Sequence, residues 1–347
     1  MLADLVDVVI GCDTHRDTHA LAGVVAATGA VDGQFEIPTT TVGYKQALTR
    51  AREEFPGARA WAIEGTGSYG KGLCRYLTSE GEWVIEVSRP LRRPLKSRPK
   101  SDPLDAIGAA RTALAQSTHN TPRAGELREG LRVLMIARDS SVQIRATSLK
   151  QIKAMVVTAP DDLRDRLRSL PKVSLLTACA GLRANATDPA EAATRVALRA
   201  LARAAKHAGQ AAKALEVQIT ALVEQGWPGL LDQTGIGPVT AAQLAISYSH
   251  HGRCRTEAAF ARLAAVAPIP ASSGKSVRHR LDPGGDRKLN QALHTIAIHR
   301  ARHDPETKAY LDKKTRDGKT PREARRCLKR HIARRLYNDL KNMPIAT

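Results

Sequence analysis

The chain has 347 residues, with 54 Lys and Arg against 34 Asp and Glu, a formal net charge of +20 and a sequence pI near 10.2. That length allows two or three domains with cores of their own, and so large a basic excess points to polyanionic partners rather than to any one fold. No apolar run approaches the roughly 18–20 residues that span a bilayer. The first residues lack the basic region of a signal peptide, and the five cysteines (Cys12, Cys74, Cys179, Cys254, Cys327) form no CxxC pair. Membrane, disulfide-scaffold and zinc-ribbon classes are thereby excluded, and a reduced cytoplasmic protein is expected. Aromatics at 3% argue against base-stacking as the main way of holding nucleic acid.

The charge is unevenly spread. Residues 1–87 hold 7 Lys and Arg and 12 Asp and Glu, net −5, which leaves +25 for the rest. Within this acidic front, residues 7–13 read as a short strand ending in Asp13, residues 19–27 as a second, and a third lies near 34–37 after the turn signal around Gly29 and Gly33. Residues 41–55 read as an amphipathic helix, 58–64 as a strand ending in Glu64, 69–80 as a helix and 83–87 as a fifth strand. Three meandering strands followed by alternating helix and strand predict an α/β domain with a mixed sheet, in the element order of a RuvC or ribonuclease-H-like fold.

Residues 89–100 contain six basic residues, three prolines and no acid, so they predict an extended basic loop, with Arg92, Arg93, Lys96, Arg98 and Lys100 facing nucleic acid. A helix then starts at Ser101-Asp102-Pro103. From about 125 to 225 the composition predicts a long helical region, interrupted near Pro160, near Pro171 and around 181–190, with either coiled-coil or bundle packing. Leu230 to Ala242 reads as a helix-hairpin-helix, in which backbone amides around Gly235 and Gly237 could hold a phosphate; an ordinary helical hairpin fits equally well. Residues 313–335 carry eleven Lys and Arg against two acids, which favours a phosphate-facing surface. The expected architecture is α/β plus α: a RuvC-like domain over 1–120, a helical coiled-coil region over 121–225 and a mainly helical C-terminal domain over 226–347.

Asp13 and Glu64 end strands that neighbour each other in such a sheet, while Asp102 and Asp105 share one face of a helical first turn. Four converging acids repel unless a divalent cation holds them, and Mg²⁺ suits oxygen ligands of this kind. Each acid alone is as well explained as a turn residue, a surface charge or a helix N-terminal charge; the set, directly after a basic loop, favours the metal site. His15 and His19 do not share a helix face in a strand-loop-strand setting, so a metal role is not assigned to them.

Several segments resemble one family: Ile10-Gly11-Cys12-Asp13-Thr14-His15, Ile63-Glu64-Gly65-Thr66-Gly67, Ser101-Asp102-Pro103-Leu104-Asp105, Thr234-Gly235-Ile236-Gly237-Pro238, Pro268-Ile269-Pro270-Ala271-Ser272-Ser273-Gly274-Lys275 and Asp286-Arg287-Lys288-Leu289-Asn290. In this order they resemble the DEDD-type transposases of insertion sequence family 110, with the related site-specific DNA invertases. The resemblance implies a RuvC-like domain whose four acids bind Mg²⁺ and a coiled-coil region for assembly into a homodimer or homotetramer. It also implies a serine nucleophile in the C-terminal domain, matching Ser273 with Ser272 as the neighbouring possibility, and guidance by a structured RNA of the element. Lys275, Arg278 and Arg280 follow as contacts to donor and target DNA. Two other readings remain: a RuvC-type nuclease that hydrolyses DNA with water at the same carboxylates, and a non-catalytic nucleic-acid-binding protein.

Overall fold

The structure, a computed structural model, describes residues 1–87, 102–271, 279–280 and 282–344. They form two compact units, Met1–Ala124 and Gly125–Thr347.

The first unit is built on strands β1 (Val8–Thr14), β2 (Thr18–Val25), β3 (Val31–Pro38), β4 (Arg59–Glu64) and β5 (Trp83–Val87), in the sheet order β3-β2-β1-β4-β5. β1 pairs antiparallel with β2 and β2 with β3, whereas β4 joins β1, and β5 joins β4, in parallel. This mixed sheet is consistent with a ribonuclease-H-like fold. Helices α1 (Thr41–Glu54) and α2 (Lys71–Ser79) cover one face, where Tyr44, Leu48, Leu73 and Leu77 pack on Ile10, Leu21 and Trp61. Helix α3 (Asp102–Ala115) covers the other, with Ala106, Ile107, Ala110 and Ala113 against Val9, Ala22, Ala60 and Ala62. Two covered faces explain why β1 and β4 read as continuous apolar runs rather than alternating ones.

Gly11 sets the closeness of α3. A Cβ at that position would lie 1.9 Å from the Ala106 carbonyl oxygen and 2.8 Å from the Ala110 nitrogen. Only glycine lets the alanine-rich helix rest directly on the central strand, and this brings the first turn of α3 over the end of β1.

The second unit is helical: α4 (Glu126–Val157), α5 (Asp161–Leu167), α6 (Lys172–Ala180), α7 (Pro189–Gly226), α8 (Pro238–Tyr248), α9 (Glu257–Leu263), α10 (Arg287–His303), α11 (Pro305–Arg316) and α12 (Pro321–Asn342), with a two-residue ladder of β6 (Ile269–Pro270) and β7 (His279–Arg280). α4 and α7 pack against each other antiparallel: Leu127 meets Gly226, Arg138 binds Glu216 at 2.7 Å, and Arg145 lies on Gly209. The interruptions read from Pro160, Pro171 and 181–190 fall between these helices. α7 begins where Asp188 accepts from the Glu191 amide with Pro189 in the first turn, and α12 begins with a Thr320–Glu323 capping box.

One expected element differs. Residues 227–236 are turns, so no helix stands immediately before the Gly235-Ile236-Gly237 segment. Pro228 stops α7 from continuing and Gly229 turns the chain at φ +77°, which leaves α8 as the helix that follows the glycines. No helix among the described residues is long and apolar enough to cross a membrane.

Candidate metal centre

Asp13 is the last but one residue of β1, and its carboxylate is almost fully buried on the face that α3 covers. His15 follows two residues later, where the chain leaves β1 and its backbone amide donates to the Thr18 carbonyl. The two-residue period of an extended chain puts Asp13 and His15 on the same side. Asp102 comes from the first turn of α3. The His15 Nε2 lies 3.0 Å from Asp13 Oδ2 and 3.5 Å from Asp102 Oδ1, and ligand atoms of the three residues all lie within 4.8 Å of one another.

Glu64 ends β4, one position beyond the Cys12–Ile63 pair of the parallel ladder, so it stands beside Asp13 on the adjoining strand. Its backbone carbonyl accepts from the Thr14 hydroxyl at 3.1 Å, which ties the two strand ends together. Asp105 sits one turn along α3 from Asp102 and is half-buried. Neither Glu64 nor Asp105 belongs to the group that converges within 4.8 Å. Cys12 packs on the opposite face of the sheet, and burial pushes its thiol far above the usual range, with the charges of Asp13 and Glu64 adding to the effect. It is a core thiol rather than a ligand.

Sequence reasoning set His15 aside because it weighed His15 with His19 as a helical pair. The pair that matters is Asp13 with His15, two apart in an extended segment. His19 is on β2, buried and stacked on Tyr44 at 6.0 Å between ring centres, away from the acids of α3. Two carboxylates and an imidazole, one carboxylate being desolvated, form a donor set that fits a divalent cation. The imidazole favours Mn²⁺ and similar ions more than an all-oxygen set would. His15→Gln is therefore expected to weaken Mn²⁺ binding about tenfold or more and to remove the nitrogen hyperfine coupling from the spectrum of protein-bound Mn²⁺. An unchanged coupling would exclude His15 from the ligand set.

Arg92, Arg93, Lys96, Arg98, Lys100, Ser272, Ser273, Lys275 and Arg278 lie outside the described residues. Gly235 turns the chain at φ +83° against α10, and the Gly237 amide is donated to the Thr240 hydroxyl at 2.9 Å. Arg280 is exposed on β7 and lines a cavity of about 440 Å³ that α11 and α12 also border.

The first unit is thus a five-stranded mixed sheet, consistent with a ribonuclease-H-like fold, with a carboxylate–imidazole cluster at the end of its central strand, an arrangement suited to binding a divalent cation. Residues 10–159 match the transposase family of the DEDD, IS110 kind, and residues 229–312 match the Transposase IS116/IS110/IS902 family. Together these matches support the DEDD-type IS110 transposases as the family of this chain. It is also similar to the Insertion element IS110 uncharacterized 43.6 kDa protein of Streptomyces coelicolor, with 36% identity over 115 residues. That stretch is 32% of this chain, and the chain covers 28% of the Streptomyces protein.

Proposed function

We propose that the protein is an insertion-sequence transposase that breaks and rejoins DNA by metal-dependent phosphoryl transfer at the end of β1. The observation that carries this reading is the convergence of Asp13, His15 and Asp102. In this reading Asp13, Asp102 and His15 hold the cation, Glu64 and Asp105 close around it when DNA enters, and the ion is Mg²⁺ or Mn²⁺. A divalent cation held by these residues would offset charge developing at the phosphorus and would assist deprotonation of the attacking water in cleavage and of a freed 3′-hydroxyl in rejoining. Asp13, shielded from solvent, fixes the cation relative to the sheet, while the exposed Asp102 is free to adjust to the incoming strand.

The DEDD match favours water as the attacking group, the RuvC-type reaction, over a serine–DNA linkage. Attack by Ser273, assembly as a dimer or tetramer through the helical region, and direction by a structured RNA rest on the resemblance of the sequence motifs. The experiment is incubation of the whole protein with end-labelled DNA carrying the element's junction, with Mg²⁺ or Mn²⁺ and then with chelator. Cation-dependent cleavage to ends free of protein is expected. Cleavage indifferent to chelation would overturn the metal site. A protein–DNA adduct that disappears in Ser273→Ala would replace water by serine.

A further inference from the structure

The cavity beside β7 is strongly basic, and three of its seven lysines and arginines have no acidic partner among the described residues. Three of its arginines are committed: Arg326 lies 3.9 Å from Glu323, Arg330 makes a two-pronged pair with Glu257 at 2.6 and 2.7 Å, and Arg334 reaches the same carboxylate at 3.3 Å. These contacts hold Glu257 down at about 2. Lys314 pairs with Asp317 at 3.2 Å. The two acids of the wall are also engaged, Asp282 lying 3.2 Å from Arg262 and Glu323 closing the cap of α12 on Thr320. That leaves Arg280, Lys319 and Lys329, which make no ion pair among the described residues.

Lys329 is the unusual member. It is only 7% exposed, and its ammonium donates to Asn290 Oδ1 at 2.7 Å. Asn290 is held for this purpose: its amide nitrogen donates to the carbonyls of Ala264 and Ala265 at 2.8 and 3.2 Å, which turns its oxygen toward the lysine. The partner is neutral, so the buried charge has a hydrogen bond but no counter-charge, a costly state that pulls Lys329 below the ordinary lysine range. Strand β7 adds His279 and Arg280 to the cavity wall and no acid.

We propose that this cavity is the seat of one backbone phosphate of bound DNA, with the Lys329 ammonium, oriented by Asn290, as its anchor. The phosphate supplies the missing negative charge, and its tetrahedral oxygens suit a lysine together with Arg280 and Lys319 at the rim. The ligand class rests on the transposase reading; the demand for an anion does not.

The test uses the full chain in two arms, with Lys329→Met and, to retain a donor for Asn290, Lys329→Gln. In hydrogen exchange at matched ionic strength, inorganic phosphate at tens of millimolar is expected to raise the protection of α10 and α12 peptides severalfold more in the wild type than in either variant. In titrations with duplex DNA, both variants should bind about tenfold more weakly, with a salt dependence shallower by about one phosphate contact. Equal phosphate responses in the wild type and Lys329→Gln would overturn the proposal, as would DNA affinities within twofold and identical salt slopes. If the wild type bound no duplex DNA yet kept a Lys329-dependent phosphate response, the anion seat would stand and the DNA reading would fall.

Discussion

Replacing Gly11 by alanine is expected to open the first unit and empty its metal site together. The added methyl would sit 1.9 Å from the carbonyl oxygen of Ala106, a backbone atom that no rotamer change can move. Either β1 bends or α3 lifts. Lifting exposes Ala106, Ala109, Ala110 and Ala113, all fully buried in the wild type, and carries Asp102 away from Asp13. Overpacking of this kind costs about 3 kcal/mol or more, since neither side of the contact is a flexible side chain. The chain has two units, so one melting temperature is not the right readout. Hydrogen exchange followed by peptide mass is. Protection should fall in peptides from β1 and α3 and stay unchanged in α7, and Mn²⁺ affinity should fall with it. Wild-type protection across β1 with unchanged Mn²⁺ binding would mean that α3 is not seated by Gly11.

The first unit was readable from the sequence because its signals are local. Strands β1, β2, β4 and β5 are short apolar runs set off by Gly29, Pro56, Gly65 and Gly81, and α1 starts on a Thr40 cap, whereas β3 is polar and mostly exposed and begins at Val31, inside the stretch that reads as a turn. The breaks in the helical region follow from Pro160, Pro171 and Asp188-Pro189. What stayed hidden depends on contacts between distant segments. His15 joins the acids only because Gly11 lets α3 deliver Asp102, about ninety residues later, to the end of β1. A basic tail was visible as a density of charge, but the sequence could not tell that Glu257 engages Arg330 and Arg334 while Lys329 is left with a neutral asparagine. The stretch before α8 reads as a helix from its apolar Leu230-Leu231 pair, but Pro228 and Gly229 end α7 and leave turns over 227–236.

Asp13→Asn is expected to abolish DNA cleavage while leaving the fold as stable as the wild type, or slightly more so. The side chain keeps its shape and an oxygen that can accept from His15 Nε2, now 3.0 Å from the carboxylate. What disappears is a buried negative charge facing Asp102 across His15, and relief of such a charge does not weaken the protein in the absence of metal. Without that charge the cation is held too weakly to act on the phosphodiester, and cleavage should fall by about 10²–10³-fold or more. DNA binding should be retained or tightened, because one negative charge near the phosphates is gone. Asp102→Asn should reach a similar floor, although its side chain is 57% exposed, since either loss breaks the same ligand set. The double variant should then be no slower than the single ones, the non-additivity of residues that act as one unit. If the two effects multiplied instead, Asp13 and Asp102 would be acting on the DNA independently, and the shared cation would have to be abandoned.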